Sequence, residues 1–285
     1  MTDHTPTVLS IAGADPYGGA GIQADLKSIH ALGGYALTCV TALTAQNSQG
    51  VRCVYPTSAD CLAQQLHTLL TDLKVDAVKI GMLANAELIE VVAEILSQYS
   101  LNNIVLDTPF ISSSGHPLLE ASAIQTLKQR LFPKVTVITP NLPELNYLLN
   151  RDSDNALQAT EAEMTTIGQA FFKLGAKAIV VKGGHAHSTA QVTDTLLQRA
   201  SEAVSFTSPR IHTQHTHGTG CSFSSAIACL LAKGQPLPQA VKNAKQQMHQ
   251  WLTHSESLQL RYHQPQSTRR EPLKHLPYPE KILTF

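Results

Sequence analysis

A chain of 285 residues, 43% of them hydrophobic and 15% charged, is long enough for one large α/β domain with a substantial core. Its 21 basic and 21 acidic side chains cancel, so no net charge draws it to nucleic acid or to a membrane surface. A small-molecule function is favoured.

From the N-terminus, residues 1–7 lack a basic segment and the apolar run behind them covers only 8–12, so the sequence predicts no signal peptide. No stretch is long and apolar enough to span a bilayer. The 8–12 run reads as a strand. It ends in Gly13-Ala-Asp-Pro-Tyr-Gly-Gly-Ala-Gly21, a tight loop that exposes backbone, and a helix follows over 22–32. Further strand-length runs fall at 35–41, 77–81, 104–107, 135–139 and 178–182, with helices at 60–73, 87–99, 121–131, 161–174, 222–232 and 238–254. This alternation predicts a parallel sheet covered by helices on both faces. No linker divides the chain before residue 255, so residues 1–255 are expected to form a single domain and 256–285 an irregular, proline-broken tail.

Cysteines at 39, 53, 61, 221 and 229 form no Cys-x-x-Cys pair and no cysteine–histidine ladder. That argues against a disulfide framework and a zinc site, and for reduced thiols in a cytoplasmic protein.

In a doubly wound sheet, ligands sit beyond the carboxyl ends of the strands. Polar candidates recur there: Asp15, then Gln46 and Asn47, Gly81-Met82, Asp107, Asn141 with Glu144, and Lys182-Gly-Gly-His185. Any one of them can simply end a strand or cap a helix. The sequence His217-Gly218-Thr219-Gly220-Cys221 precedes an apolar helix, and its glycines let unpaired N–H groups converge on an anion. Cys221 would stand at the positive end of that helix, where a thiolate is favoured, unless it is a buried and inert thiol. The P-loop and dinucleotide fingerprints are both absent. Asn141 and Glu144 are spaced to hold magnesium through water, or else to form a helix-capping box.

Six segments taken together closely resemble the hydroxymethylpyrimidine/phosphomethylpyrimidine kinases of thiamine biosynthesis, in the ribokinase-like superfamily. They are the glycine loop with its helix to Lys27, Thr41-Ala-Leu-Thr-Ala-Gln-Asn47, Lys79-Ile-Gly-Met-Leu83, Thr139-Pro-Asn-Leu-Pro-Glu144, Val181-Lys-Gly-Gly-His185 and Thr216-His-Gly-Thr-Gly-Cys221. The likeness runs in register from residue 8 to 254. It implies a ribokinase-like α/β fold with a mostly parallel central sheet. It implies transfer of the ATP γ-phosphoryl group to 4-amino-5-hydroxymethyl-2-methylpyrimidine, then of a second group to the monophosphate. It also implies a homodimer, with ATP and Mg2+ required and no nucleic acid or membrane partner.

By the same resemblance Gln46 reads the pyrimidine edge, with Asp25, Ala20, Gly21 and Met82 around it. Cys221 accepts the alcohol proton where related kinases carry aspartate, and Gly218, Thr219 and Gly220 stabilise the transferring group. Lys182, Thr139 and Asn141, with Gly218 and Gly220, face ATP, while Asp107 and Glu144 organise magnesium.

The run Asp107-Thr-Pro-Phe-Ile-Ser-Ser-Ser-Gly115 has Ser113 where the family typically carries a lysine, which puts the second phosphorylation in question more than the first. A pyridoxine or pyridoxal kinase of the same superfamily is the nearest alternative. A non-catalytic pyrimidine or nucleotide sensor is the other, opposed by the filling of every chemical position.

Overall fold

The computed structural model describes residues 4–110, 118–151, 160–184, 190–263 and 269–275. In chain order its elements are β1 (Thr7–Ala12), α1 (Gly21–Ala31), β2 (Tyr35–Val40), β3 (Ala42–Asn47), β4 (Gly50–Pro56), α2 (Ala59–Asp72), β5 (Ala77–Ile80), α3 (Ala86–Gln98), β6 (Ile104–Leu106), α4 (Ala123–Arg130), β7 (Val137–Ile138), α5 (Leu142–Leu148), α6 (Glu161–Lys173), β8 (Ala178–Val181), β9 (Gln191–Gln198), β10 (Val204–Pro209), α7 (Thr219–Ala232) and α8 (Leu237–Ser255).

Eight strands form one sheet in the order β10-β9-β8-β7-β6-β5-β1-β2. Strands β2 to β8 in that sheet run parallel, and the edge pairs β8–β9 and β9–β10 are antiparallel. Successive side chains of a strand point to opposite faces, so each buried run feeds two cores at once. Val8, Ala77, Val105, Val137 and Val180 pack with α7 and α8 residues such as Phe223, Ile227 and Trp251. Their neighbours Leu9, Val78, Leu106, Ile138 and Ile179 pack with Leu62, Ile89, Leu127 and Ile167 from α2, α3, α4 and α6. This is the expected ribokinase-like α/β architecture, with a mostly parallel sheet and helices on both faces.

Local chemistry sets where the helices begin. Ser58 accepts from the Cys61 N–H at 3.1 Å and Asn85 from the Leu88 N–H at 3.0 Å, each satisfying an otherwise orphaned donor. Gly218 takes φ of 84°, so α7 starts at Thr219, three residues before the expected start at 222. Thr219, Gly220 and Cys221 therefore form the first turn of the helix.

Two hairpins and one helix depart from the sequence reading. The predicted 35–41 strand ends at Val40, and the chain turns at Thr41 into the separate two-stranded sheet β3–β4. Its strands are half-exposed and mixed in polarity, so no apolar run announces them. β9 and β10 extend the sheet with similarly polar sequences. Helix α5 is only seven residues long and opens on Leu142-Pro143, too short for a readable period.

Described residues of the tail are irregular but packed. Leu273 and His275 are buried, the Lys274 N–H donates to Ser255 Oγ at 2.9 Å, and Ser222 Oγ meets His275 Nε2 at 2.7 Å. No helix among the described residues is long and apolar enough to cross a membrane.

Candidate active site

Strand order reverses between β1 and β5: the chain leaves β1 toward β2 on one side and fills β5 to β8 on the other. Loops at such a switch point diverge and leave a crevice. Here the crevice is a cavity of about 700 Å³, walled by the loops after β1, β5, β6, β7 and β8, by β3 and by the start of α7.

At one end the glycine loop closes on itself. Gly21 sits at φ of 54°, and a Cβ there would lie 2.2 Å from the Gly13 carbonyl oxygen, so only glycine lets the loop fold over the end of β1. The Asp15 carboxylate anchors this loop. Its Oδ2 accepts from the Gly19 and Ala20 N–H groups at 3.0 and 2.8 Å, and its Oδ1 from the Tyr17 N–H at 2.9 Å. His217 Nε2 meets Oδ2 at 2.8 Å. Although burial alone would raise the Asp15 pKa, these bonds and His217 hold it below the ordinary carboxylate value. Ala20, Gly21, Gln46 and Met82 all line the cavity here, and Thr41 Oγ1 donates to the Met82 carbonyl at 2.6 Å to fix that strand end.

Asp25, expected in this pocket, is not a lining residue. Its side chain is fully buried behind α1, where Lys79 Nζ reaches both of its oxygens at 2.9 Å and Ser10 and Ser225 donate at 2.6 and 2.7 Å. Facing inward where α1 meets β1, β5 and α7, it braces the floor from behind.

At the other end Lys182 Nζ stands 2.9 Å from Asp107 Oδ1 and 3.8 Å from Glu144 Oε2. Burial alone would lower the Lys182 pKa, but the Asp107 and Glu144 carboxylates outweigh it and keep the ammonium charged. Asp107 is likewise lowered: burial opposes its ionisation, and Lys182 and Lys79 more than offset that. Glu144 is pushed up to about 7, chiefly by burial and by the Asp107 charge, against the pull of Lys182 and the Asn141 N–H.

Asn141 and Glu144 do form the capping box of α5: Asn141 Oδ1 accepts from the Glu144 N–H, and Glu144 Oε2 from the Asn141 N–H, both at 2.8 Å. Capping does not remove them from the cavity, which both still line. Thr139 does not line it. Fully buried, it donates to Asp107 Oδ1 at 3.2 Å and so orients that carboxylate.

Residues 218–221 complete this end. Gly218 could not carry a side chain, since a Cβ would fall 1.7 Å from the Gly19 oxygen. Among the described residues nothing accepts from the N–H groups of Gly220 and Cys221, which leaves two donors at the positive end of α7. A Cβ on Gly220 would meet Lys182 Nζ at 3.3 Å, so its absence keeps open a cradle between helix and lysine that suits a phosphoryl group.

Cys221 borders this cradle, but the expected low thiol pKa is overturned. Burial, helped by the Asp25 and Asp107 carboxylates, pushes it up to about 11, against Lys79 and the Gly21 N–H. One nearby lysine and one backbone donor do not offset that desolvation.

Other lining residues have no site role in the sequence analysis, among them Lys79, mid-strand in an apolar run, Thr44 on the half-exposed β3, Tyr147 on the short α5, and Arg270 in the tail beyond the family resemblance. Ser113 and His185 fall outside the described residues.

Residues 15–266 match the phosphomethylpyrimidine kinase family. The hydroxymethylpyrimidine/phosphomethylpyrimidine kinase of Salmonella typhimurium is 45% identical over 252 residues, covering 88% of this chain and 92% of that protein. A thiamine biosynthesis bifunctional protein of Geobacter sulfurreducens is 41% identical over 239 residues, 84% of this chain and 47% of its own length. Among solved structures, an ADP complex of Bacillus subtilis pyridoxal kinase superposes with a TM-score of 0.81 at 33% identity, covering 95% of this chain and 98% of the other.

Proposed function

This chain belongs to the phosphomethylpyrimidine kinase family, and on that premise we propose that it transfers the γ-phosphoryl group of ATP to 4-amino-5-hydroxymethyl-2-methylpyrimidine and then to its monophosphate, for thiamine biosynthesis. One observation carries the reading: Gln46 and Met82, suited to a heteroaromatic ring, and residues 218–221 with Lys182, suited to a phosphoryl group, line the same cavity.

The pyrimidine ring lies against Met82 with its polar edge on Gln46, and its hydroxymethyl group points at Cys221. Lys182 and the Gly220 and Cys221 amides hold the γ-phosphoryl group and take up charge as it transfers, which is where most catalysis of such a reaction arises. Cys221 receives the hydroxyl proton. Since its thiol is protonated in the resting site, ionisation of Cys221 is the step that pH controls.

Two carboxylates are too few for a dedicated metal cage and enough for an ion that keeps its waters and phosphate ligands. Asp107 and Glu144 would hold Mg2+ in that way, and the ion would neutralise phosphate charge. Homodimer formation belongs to the same proposal, supported by Leu43 and Tyr55, which face each other across the β3–β4 hairpin with 58% and 59% of their surface exposed. Five free cysteines support a reducing, cytoplasmic setting.

The test is ADP release from ATP and Mg2+ with the aminopyrimidine, its monophosphate or pyridoxal as acceptor. Turnover of the pyrimidines above pyridoxal supports the proposal, and efficiency on the monophosphate equal to that on the alcohol removes the concern raised by Ser113. Preference for pyridoxal supports the reading favoured by the pyridoxal kinase superposition. Binding without ADP release would mark a sensor.

A further inference from the structure

Gln46 ends β3 with each end of its amide beside one polar neighbour. One end is 3.4 Å from His217 Nε2 and the other is 3.3 Å from Thr44 Oγ1. Which end is oxygen and which nitrogen follows from the hydrogens available.

Asp15 accepts three backbone N–H groups, so its carboxylate is an acceptor only. The 2.8 Å bond between His217 Nε2 and Asp15 Oδ2 therefore carries its proton on Nε2, whatever the charge of the ring. An amide nitrogen turned toward His217 would then set donor against donor. Thr44 Oγ1 has a single hydrogen, committed to the Ala14 carbonyl at 2.9 Å. An amide oxygen turned toward Thr44 would set acceptor against acceptor. Turning the amide by 180° relieves both conflicts: Oε1 faces the His217 Nε2–H as the weaker, 3.4 Å arm of a three-centre bond whose main acceptor is Asp15 Oδ2, and Nε2 donates to Thr44 Oγ1.

We propose that His217, held by Asp15, and Thr44 lock the Gln46 amide in this one orientation, and are thereby the positioning residues that decide which heterocycle the pocket accepts. The remaining lone pair of Oε1 and the second hydrogen of Nε2 then face the cavity in a fixed order. A 4-amino group beside an unprotonated ring nitrogen presents donor then acceptor. A 4-oxo group beside a ring N–H presents the reverse. A locked amide matches one and meets the other with like groups, whereas a free amide turns to suit either. This deepens the kinase reading and rests on it.

The test compares 4-amino-5-hydroxymethyl-2-methylpyrimidine with its 4-oxo counterpart, by kcat/KM and by calorimetric Kd without ATP. For the unaltered protein the amino compound is favoured on the order of 10²-fold, the scale set by leaving two buried polar groups mismatched. His217→Leu removes the donor and reduces that preference to within about tenfold, mainly through KM. Thr44→Val, on a half-exposed hairpin and nearly isosteric, relaxes it in the same direction if His217→Leu fails to fold, and Thr44→Ser restores it. Undiminished preference in folded His217→Leu or in Thr44→Val overturns the inference alone. Unaltered protein that takes neither pyrimidine overturns the kinase reading and this inference with it.

Discussion

Lys79 on β5 and Asp25 on α1 form an ion pair at 2.9 Å with both side chains fully buried, Lys79 bordering the cavity that Cys221 also lines and Asp25 lying behind it. Burial alone would lower the Lys79 pKa, and Asp25, together with Cys221 and Asp107, more than offsets it and raises the value instead. Two more donors, Ser10 and Ser225, reach the same carboxylate and so tie β1 and α7 to α1. Removing one charge strands the other. Lys79→Met is expected to lower unfolding free energy by about 3–5 kcal/mol, while Lys79→Met with Asp25→Leu recovers most of that loss. Urea unfolding of the two variants checks it, and a double variant no more stable than the single would show the pair is not the cause.

Glu144 is expected to trade stability for function. Its ordinary carboxyl value is 4.5, and in the fold it is raised to about 7. Below pH 4.5 the group is protonated in both states and there is no penalty. Between 4.5 and 7 the unfolded chain ionises while the folded site resists, so stability falls with rising pH, and above 7 the full penalty remains. Glu144→Gln keeps the capping geometry, since glutamine also serves at that position. The variant should gain about 1–3 kcal/mol over the unaltered protein at pH 8 and nothing at pH 4, while its apparent Mg2+ affinity in the kinase assay falls. Thermal melts across that range would show it, and an equal offset at both pH values would contradict the titration.

Much of this was readable in the sequence, and the exceptions have physical causes. Val8, Val105 and Val180 announce buried strands because both faces of a parallel sheet are covered. Gln46 was legible as a site residue but β3 was not, because a half-exposed hairpin carries no apolar run. Asp25 misled for the opposite reason: a charged residue in a motif reads as exposed chemistry, and only the fold reveals Lys79, Ser10 and Ser225 sealing it away. Thr139 likewise works one step behind the cavity, through Asp107. Arg270 had no signal, since the tail reaches the cavity only through long-range packing of Leu273 and His275.

The two glycines of the α7 turn should respond oppositely to one methyl group. Gly218→Ala places its Cβ 1.7 Å from the Gly19 oxygen at a φ unsuited to alanine, so the turn must move, and both turnover and stability are lost. Gly220 lies within α7, and a Cβ there would meet only side-chain ends, the flexible Lys182 Nζ at 3.3 Å and Asp107 Oδ2 at 3.7 Å. Gly220→Ala is expected to raise stability by about 0.5–1 kcal/mol, as a helix gains from alanine. It should at the same time raise KM for ATP by roughly tenfold, since the methyl fills the phosphoryl cradle. Melting temperatures and ATP saturation curves separate the two effects, and an unchanged KM in Gly220→Ala would move the phosphoryl group elsewhere.

A Cys221 thiol held near 11 makes a specific demand on the pH profile. If the thiolate takes the hydroxyl proton, only about one molecule in 10⁴ is competent at pH 7, and kcat/KM should climb about tenfold per pH unit from 7 toward 10. Cys221→Ala should lose on the order of 10²-fold at pH 8 and show no such climb. Lys79 lowers this pKa and Asp25 raises it, so Asp25→Asn should shift the rising limb to lower pH wherever the variant folds. A flat profile in the unaltered protein, superimposable in shape on that of Cys221→Ala, would leave Cys221 as a wall of the hydroxymethyl pocket and send the proton to the phosphoryl oxygens instead.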